Sequence, residues 1–242
     1  MSERYYWPCD KTGGSVPQTA ELYGDEAHHL TRVMRRKCGD LVTLFDGNGR
    51  EFRAEITDTR KDRVALLLRE TRIVDAEPQR QVTIAVSLPK GDRQKWLVEK
   101  LTELGCHRLI PLQTERGIAQ CSEQVLERLH RQVIEATKQC NRSRLMQISP
   151  ECRLQASDFG FQGLGLLAHP SSDSAFGQWD FPRLMQTPLP TNVLVLIGPE
   201  GGFTRLEVEQ AVTLGLQPLD LGPRILRVET AAVMLAAILV NI

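Results

Sequence analysis

The 242-residue sequence lacks the features that mark several large classes of protein. It has six cysteines but no Cys-x-x-Cys pair and no histidine at zinc-finger spacing, so neither a structural zinc site nor a disulfide framework is expected. The longest apolar run, 231–240, is about half of a membrane span. The first thirty residues contain no apolar stretch of the kind found in signal peptides. These absences predict a cytoplasmic protein that binds no metal and no membrane.

Net charge is also absent, because 30 Lys and Arg balance 30 Asp and Glu. The balance hides an asymmetry: residues 90–153 carry twelve basic and eight acidic side chains, whereas residues 154–242 carry four and eight. Most of the basic residues are arginine, whose planar fork suits phosphates and base edges. A GC-rich genome explains the same bias equally well, so composition leaves nucleic-acid binding open.

The first seventy residues predict a small β domain. Short β-prone runs cover 41–46, 50–56 and 63–70, and the first two flank a Gly-Asn-Gly turn. A helix is predicted over 25–36, with Leu30, Val33 and Met34 on its apolar side. Arg32, Arg35 and Arg36 lie near the end of that helix, either as a solvated helix end or as a phosphate-contact patch.

After a polar linker at 73–80, strands alternate with longer helices, which predicts a mostly parallel sheet. The strands are expected at 82–88, 109–112, 164–168 and 193–197, and the helices after residue 92, over 122–140 and from about 229. Asp92 is predicted to cap the first of these helices. Its apolar side is predicted to contain Trp96, Leu97, Leu101 and Leu104. The chain is therefore expected to be of the α/β class, with a β domain in front.

The most informative segment is 193–209, where an apolar strand leads directly into Gly198-Pro199-Glu200-Gly201-Gly202. Thr204 and Glu207 then form the pattern of a capping box. A glycine-rich turn before a helix lets a ligand approach bare backbone, although a tight turn alone would account for one of these glycines. Neither a P-loop nor a dinucleotide-binding spacing is present, so the segment indicates a ligand loop without a phosphate motif.

Three further segments carry candidate site residues. Arg224 and Arg227 precede the last helix, and Arg227 either faces a ligand or pairs with Glu229. Arg142 and Arg144 flank a serine in a polar loop, which fits phosphate contact and ordinary solvation equally well. His169 follows a strand, at the kind of place where ligands bind open α/β sheets, although a single histidine there is more often structural.

Together these segments resemble the RsmE-type 16S rRNA uridine-N3 methyltransferases of the SPOUT superfamily. The resemblance covers nearly the whole chain and is carried by KGDRQKWLVEKLTELG (90–105), TERG (114–117), QCNRSR (139–144), AHP (168–170), LIGPEGGFT (196–204) and LGPRILRVETAA (221–232). It implies a PUA-like β-barrel RNA-binding domain at 1–72. It also implies a SPOUT methyltransferase domain at 73–242, whose chain forms a trefoil knot and whose cofactor is S-adenosylmethionine (SAM).

The resemblance also implies site residues and partners. The cofactor-binding residues would be His169, Ile197, Gly198, Glu200, Gly201, Gly202, Leu221, Gly222, Ile225, Leu226 and Val228. Arg142, Arg144 and Arg227 would stabilise the reacting uridine, with Glu229 as a candidate base. RNA would contact Arg32, Arg35, Arg36, Arg142 and Arg144. The protein would act as a homodimer that forms 3-methyluridine in the 16S rRNA of the small ribosomal subunit.

The chain departs from the family pattern at two places. Lys138 stands where relatives often have glutamate, which excludes a carboxylate role there, and Leu145-Met146 stands where they often have proline. Two alternatives remain beside the leading interpretation. One is a SPOUT methyltransferase acting on another RNA, and the other is a non-catalytic RNA-binding or ribosome assembly factor.

Overall fold

The computed structural model describes residues 4–9, 17–74, 76–118, 121–154, 161–170 and 179–241. These residues form two compact units. The first contains Met1–Glu77 together with Ile134–Leu145, and the second contains Pro78–Val133 together with Met146–Ile242. Residues 134–145 thus group with the first unit, whereas the domain predicted from the sequence at 73–242 includes them. No helix within the described ranges is long and apolar enough to cross a membrane.

The first unit is built on a largely antiparallel sheet. Its elements are β1 (Arg4–Tyr6), β2 (Thr19–Tyr23), α1 (Gly24–His28), a π-helical turn (His29–Val33), β3 (Leu41–Phe45), β4 (Arg50–Thr59) and β5 (Arg63–Ile73). The strand order is β1-β3-β4-β5-β2, and only the β1–β3 pair is parallel. Irregular pairing at Arg53/Ala54 and Ile56/Asp58 bends the long β4–β5 ribbon. The predicted strands are confirmed.

The core of this unit follows from the alternation of its strands. Buried positions alternate with exposed ones along β2 and much of β4, as expected for strands with one face toward a core. The buried face includes Tyr5, Leu44, Phe52, Ile56 and Leu66. At about 25 cal/mol per Å² of apolar surface, burial of each large side chain stabilises the unit by roughly 1.5–3 kcal/mol.

The predicted helix over 25–36 is shorter and less regular than expected. It changes after His28 to a π-helical turn, in which the Met34 amide donates to the His29 carbonyl oxygen at 2.9 Å. The wider turn rotates the following side chains, so Val33 is 58% exposed rather than on the apolar side. Arg35 has a φ of +53°, which ends the helical geometry.

The second unit is an α/β structure around a parallel sheet. Its elements are β6 (Gln81–Val86), α2 (Asp92–Glu103), β7 (Arg108–Gln113), α3 (Glu123–Cys140), β8 (Gln147–Ile148), β9 (Cys152–Arg153), β10 (Leu164–Ala168), α4 (Phe181–Gln186), β11 (Asn192–Ile197), α5 (Arg205–Thr213), β12 (Gln217–Leu219) and α6 (Val228–Asn241). Helix α3 is divided between the units, because its residues from Ile134 onward belong to the first. The order is β12-β10-β11-β6-β7-β8, with β9 beside β7, and every pair is parallel. The predicted parallel sheet is confirmed, whereas the trefoil knot stays a prediction.

Helix α2 differs from its prediction at two positions. Gly91, with a φ of +64°, occupies the cap position, and Asp92 is already the first helical residue. Trp96 is 43% exposed and Leu104 is half-buried, whereas the predicted Leu97 and Leu101 are buried, together with Val98. The predicted end is correct: Gly105 has a φ of +87°, and the Cys106 amide reaches the Leu101 carbonyl oxygen.

Candidate functional site

A pocket of about 380 Å³ lies at one edge of the parallel sheet in the second unit. It is formed where three neighbouring strands, β11, β10 and β12, end and continue into loops. The carboxyl ends of parallel strands are the usual place for ligands in open α/β sheets, and this volume lies within the range of small-molecule sites. The first turn of α6 completes the wall.

The pocket contains the predicted cofactor residues with one exception. Its lining is Ala168, His169, Pro170, Ile197, Gly198, Pro199, Glu200, Gly202, Phe203, Asp220, Leu221, Gly222, Pro223, Arg224, Ile225, Leu226, Val228 and Ala231. Gly201 is absent from this lining. Eight lining residues were not among the predicted cofactor residues: Ala168, Pro170, Pro199, Phe203, Asp220, Pro223, Arg224 and Ala231. All but Asp220 lie inside the quoted motifs, and Asp220 directly precedes one of them, so the motifs themselves carried the signal.

Gly201 has a different environment from its neighbours in the loop. The Arg116 Nη1 atom donates to its carbonyl oxygen at 2.7 Å, and the only side chain among the described residues that a Cβ at Gly201 would meet is that of Arg116, at 3.4 Å. By contrast, a Cβ at Gly198 would lie 3.1 Å from the Phe203 ring. The two glycines therefore have unequal room for a side chain.

The loop that carries these glycines is fixed at its far end by a capping box. The Thr204 hydroxyl accepts from the Glu207 amide, and the Glu207 carboxylate accepts from the Thr204 amide at 2.7 Å. The other Glu207 oxygen accepts from the Glu115 amide at 2.9 Å. The predicted capping box is confirmed, and through Glu115 it also holds the loop after β7.

The predicted arginine pair Arg142 and Arg144 belongs to the first unit, and the two side chains have different surroundings. The Arg142 guanidinium is buried and donates twice to Glu77, at 3.1 Å and 2.5 Å. Arg144 is exposed, and its guanidinium lies 3.2–3.3 Å from the place that a Cβ of Gly49 would occupy. Only Arg144 presents its side chain to solvent.

Lys138 lies on the last turns of α3, in the first unit. Its Nζ donates to Glu26 at 2.9 Å and to Glu135 at 3.1 Å. Burial acts to lower the pKa of Lys138, but its contacts with the two glutamates raise that pKa above the ordinary value. Burial also raises the pKa of Glu26. Lys138 therefore stabilises the packing of α3 as a buried cation.

The other predicted catalytic residues, Arg227 and Glu229, belong to the second unit. Arg227 is exposed, immediately before α6. Glu229 is only 6% exposed, in the first turn of α6, and it is not part of the pocket lining. A base role for Glu229 stays a prediction.

The predicted RNA-contact cluster near the π-helical turn is only partly open. Arg32 and Arg35 are exposed, whereas Arg36 is half-buried and lies 3.7 Å from the Asp40 carboxylate. Arg32 and Arg35 are therefore the two members of this cluster whose side chains are most available to a phosphate backbone.

Comparison with known proteins identifies the class and then the family. An RNA methyltransferase domain model matches residues 76–240, and an RNA methyltransferase PUA domain model matches residues 22–68. The fold and the pocket, together with these two matches, therefore define an RNA methyltransferase with a preceding PUA domain.

Ribosomal RNA small subunit methyltransferase E of Bacillus subtilis is 31% identical over 236 residues, which cover 95% of this chain and 92% of the relative. The protein of the same name from Synechocystis is 35% identical, with 89% and 71% coverage. The chain belongs to the ribosomal RNA small subunit methyltransferase E family.

Solved structures agree with this assignment. A putative methyltransferase from Legionella pneumophila, solved with bound SAM, superposes with a TM-score of 0.85 at 29% identity and covers 99% of this chain and 97% of its own. The ribosomal RNA small subunit methyltransferase E from Neisseria gonorrhoeae, bound to S-adenosyl methionine, gives 0.83 at 28% identity, with 98% and 96% coverage. The expected α/β fold with an N-terminal PUA domain is confirmed.

Proposed function

We propose that this protein transfers the methyl group of SAM to N3 of a uridine in the 16S rRNA of the small ribosomal subunit, and that it does so as a homodimer. The observation that carries the proposal is the pocket at the ends of β10, β11 and β12. Its two principal loops, 198–203 and 220–226, are the segments that carry the family resemblance.

The pocket residues fit a cofactor that has a flat ring and polar groups able to hydrogen-bond to the protein backbone. Gly222 has a φ of +94°, and apart from its chain neighbours no heavy atom of the described residues lies within 4 Å of the place its Cβ would take, so a ligand can approach the backbone there. The walls on either side are apolar, from Ile197, Leu226 and Ala231. Glu200 and Asp220 add negative charge to the lining, which suits a ligand carrying sulfonium and ammonium groups.

When bound, SAM supplies the electrophilic methyl group, so the chain's own task is to position the uridine and to favour loss of its N3 proton. Guanidinium groups near O2 or O4 stabilise the anionic ring that remains. The exposed side chains of Arg144 and Arg227 are suited to this role. The exposed Arg32 and Arg35 are suited to phosphate contact.

Arg142 is assigned a supporting role in this proposal. Its guanidinium is buried and bound to Glu77, so binding RNA would require breaking two charge-assisted hydrogen bonds. Holding residues 142–144 in place is the function that its contacts support. It would thereby orient the neighbouring Arg144.

The proposal is tested by methyl transfer from labelled SAM to small subunits purified from a strain that lacks this gene, followed by nucleoside analysis. We expect the label in 3-methyluridine. Label in another nucleoside, or only in transfer or large-subunit RNA, would contradict the proposed substrate. Binding of SAM without transfer to any of these RNAs would contradict the proposed activity and favour an assembly factor.

Replacing Arg144 is expected to weaken the reaction without changing cofactor affinity. Arg144→Ala removes a hydrogen-bond donor to a charged partner, which is worth about 1.5 kcal/mol, so the kcat/KM for RNA should fall about tenfold. The matched control is Arg60→Ala, which removes an exposed arginine of the same unit that pairs with Asp58. An unchanged kcat/KM for Arg144→Ala would remove this residue from the RNA site.

The homodimer is supported by one face of α6. This face consists of Val233, Met234, Ala237 and Ile238, which are apolar and only half-buried in the single chain. An apolar helix of this kind normally packs on both sides.

We expect Met234→Asp to convert a dimer into a monomer in sedimentation experiments, whereas Leu206→Asp, at an exposed leucine of α5, leaves the dimer intact. A monomeric wild-type protein would exclude the dimer.

A further inference from the structure

A cluster of three charged residues lies beside the pocket, and its central member, Arg93, was not among the predicted site residues. Arg93 is in the first turn of α2. Its Nη1 donates to Glu200 Oε1 at 3.0 Å and lies 3.8 Å from Glu229 Oε2. One guanidinium thus faces two carboxylates that belong to different parts of the chain.

The contact between Arg93 and Glu229 involves a buried carboxylate. Its Oε2 atom is buried and has no hydrogen-bond partner among the described residues. A carboxylate removed from water needs compensation, and the start of α6 supplies only the partial charge of the helix N-terminus. In the described part of the chain, Arg93 is the one cation within 4 Å of the Glu229 carboxylate. Arg93 therefore supplies the compensating full charge.

The two carboxylates belong to segments of the chain that form two different walls of the pocket. Glu200 lies in the loop after β11 and is itself part of the lining. Glu229 is not in the lining, but Val228 before it and Ala231 one turn later both are. Since Arg93 contacts both carboxylates from α2, which contributes nothing to the lining, it joins these two walls from outside the pocket.

We infer that Arg93 is a positioning residue for cofactor binding, because it links the 198–203 loop to the first turn of α6 and so fixes the width of the pocket between them. The inference rests on the proposed function. Arginine suits the task better than lysine, because its planar group holds the N–H groups of Nη1 in fixed directions between the two carboxylates, whereas an ammonium is a single point charge on a flexible stem.

Simple electrostatics predicts the opposite effect, which makes the inference testable. The cluster has one positive and two negative groups, so removing Arg93 makes it more negative and would strengthen binding of the cationic SAM but not of its product S-adenosylhomocysteine, which lacks the sulfonium charge. Loss of positioning would instead weaken both ligands to a similar extent.

The experiment is calorimetric titration of SAM and of S-adenosylhomocysteine into wild type, Arg93→Ala and Arg93→Lys, with Lys100→Ala as the matched control. Lys100 lies on the same helix and pairs with Glu99 and Glu103. For Arg93→Ala we expect the Kd of both ligands to rise about tenfold, as is typical when a coupled contact is lost. Arg93→Lys should recover part of the loss, and Lys100→Ala should stay within about twofold of wild type.

Two further readouts separate positioning from a merely structural role. At saturating SAM the kcat of Arg93→Ala should approach that of wild type, so that the change appears in the KM for SAM. In a background of Glu200→Gln, Arg93→Ala should weaken binding less than it does alone, since one of the two links is already lost.

Two outcomes would overturn the inference. One is an unchanged Kd for Arg93→Ala, whether or not its melting temperature falls, and the other is tighter binding of SAM alone. If wild type itself binds no SAM, the proposed function falls together with the inference. If wild type binds and Arg93→Ala binds equally well, only the inference falls.

Discussion

Gly198→Val is expected to produce a folded protein that binds SAM about 100-fold more weakly than wild type, or not measurably. Gly198 lines the pocket, and its Cβ would lie 3.1 Å from two atoms of the Phe203 ring. The branched side chain must displace Phe203, which is itself part of the lining, or extend into the space that a ligand needs. A 100-fold change corresponds to about 2.7 kcal/mol of binding free energy. Calorimetric titration with SAM measures it.

The matched control is Gly201→Val, the same substitution three residues further along the same loop. Among the described residues, a Cβ at Gly201 meets only the flexible Arg116 side chain, at ordinary contact distance, so SAM affinity should change by less than about threefold. Overpacking near Phe203 costs about 1–3 kcal/mol, so circular dichroism and thermal melting must verify that Gly198→Val is folded. An equal loss of SAM affinity in both variants would contradict the finding that Gly198 lines the pocket and Gly201 does not, and would place Gly201 at the cofactor.

Glu51→Ala is expected to destabilise the first unit by about 3–5 kcal/mol, because it leaves a buried arginine without its counter-ion. Glu51 and Arg4 are 4% and 5% exposed and lie 2.6 Å apart. The Ser143 hydroxyl donates to the same Glu51 oxygen at 2.7 Å, and Arg72 donates to the other. Hydrogen exchange of the β4 and β5 amides, combined with denaturant unfolding, measures the loss within this unit.

The control is Glu55→Ala, which removes the carboxylate of an exposed pair with Arg69 and should cost less than about 1 kcal/mol. Similar losses for both variants would show that the buried pair contributes no more than a surface pair. Preservation of the β4 amide protection in Glu51→Ala would contradict the role of Glu51 altogether.

The same carboxylate gives the unit a defined response to acid. Burial by itself raises the pKa of Glu51, but hydrogen bonds from Ser143 and Arg72 and the charge of Arg4 together hold it below the ordinary value of 4.5. Its stabilising contribution is therefore complete above pH 4.5 and is lost as the pH falls through the lowered pKa of the folded state. Glu51→Gln should show a weaker loss of stability over that acidic range than wild type.

Local pattern predicted those parts of the molecule that local interactions determine. The strand at 164–168 was placed at its observed limits, and the Thr204–Glu207 capping box was predicted from a four-residue pattern, because its two hydrogen bonds join neighbours in sequence. The family resemblance then located the pocket loops. The partners of Arg142 and Arg93 could not be read from the sequence, since Glu77 and Glu200 are 65 and 107 positions away.

The incorrect local predictions have local physical causes. Trp96 matched the helical period of the buried side, but period alone does not say where a buried face ends, and Leu97, Val98 and Leu101 cover the core without it. The helix over 25–36 was expected to have regular 3.6-residue turns, and a π-helical turn at His29–Val33 shifted the register. Of the three predicted arginines of the basic patch, Arg32 and Arg35 are exposed, whereas Arg36 is half-buried beside Asp40.

The grouping of residues 134–145 with the first 77 has a consequence for the timing of folding. Arg4 cannot donate a hydrogen bond to Ser143 until the ribosome has made 139 further residues, and Glu51 cannot accept one from Ser143 before the same point. At about 5–20 residues per second, the interval between synthesis of residue 77 and residue 145 is about 3–14 s. During that interval the nascent chain contains both members of the Arg4–Glu51 ion pair but not the Ser143 hydroxyl that hydrogen-bonds to each of them. A fragment that stops at residue 77 would remain in this unfinished state, so transplanting the N-terminal unit into another protein requires residues 134–145 as well.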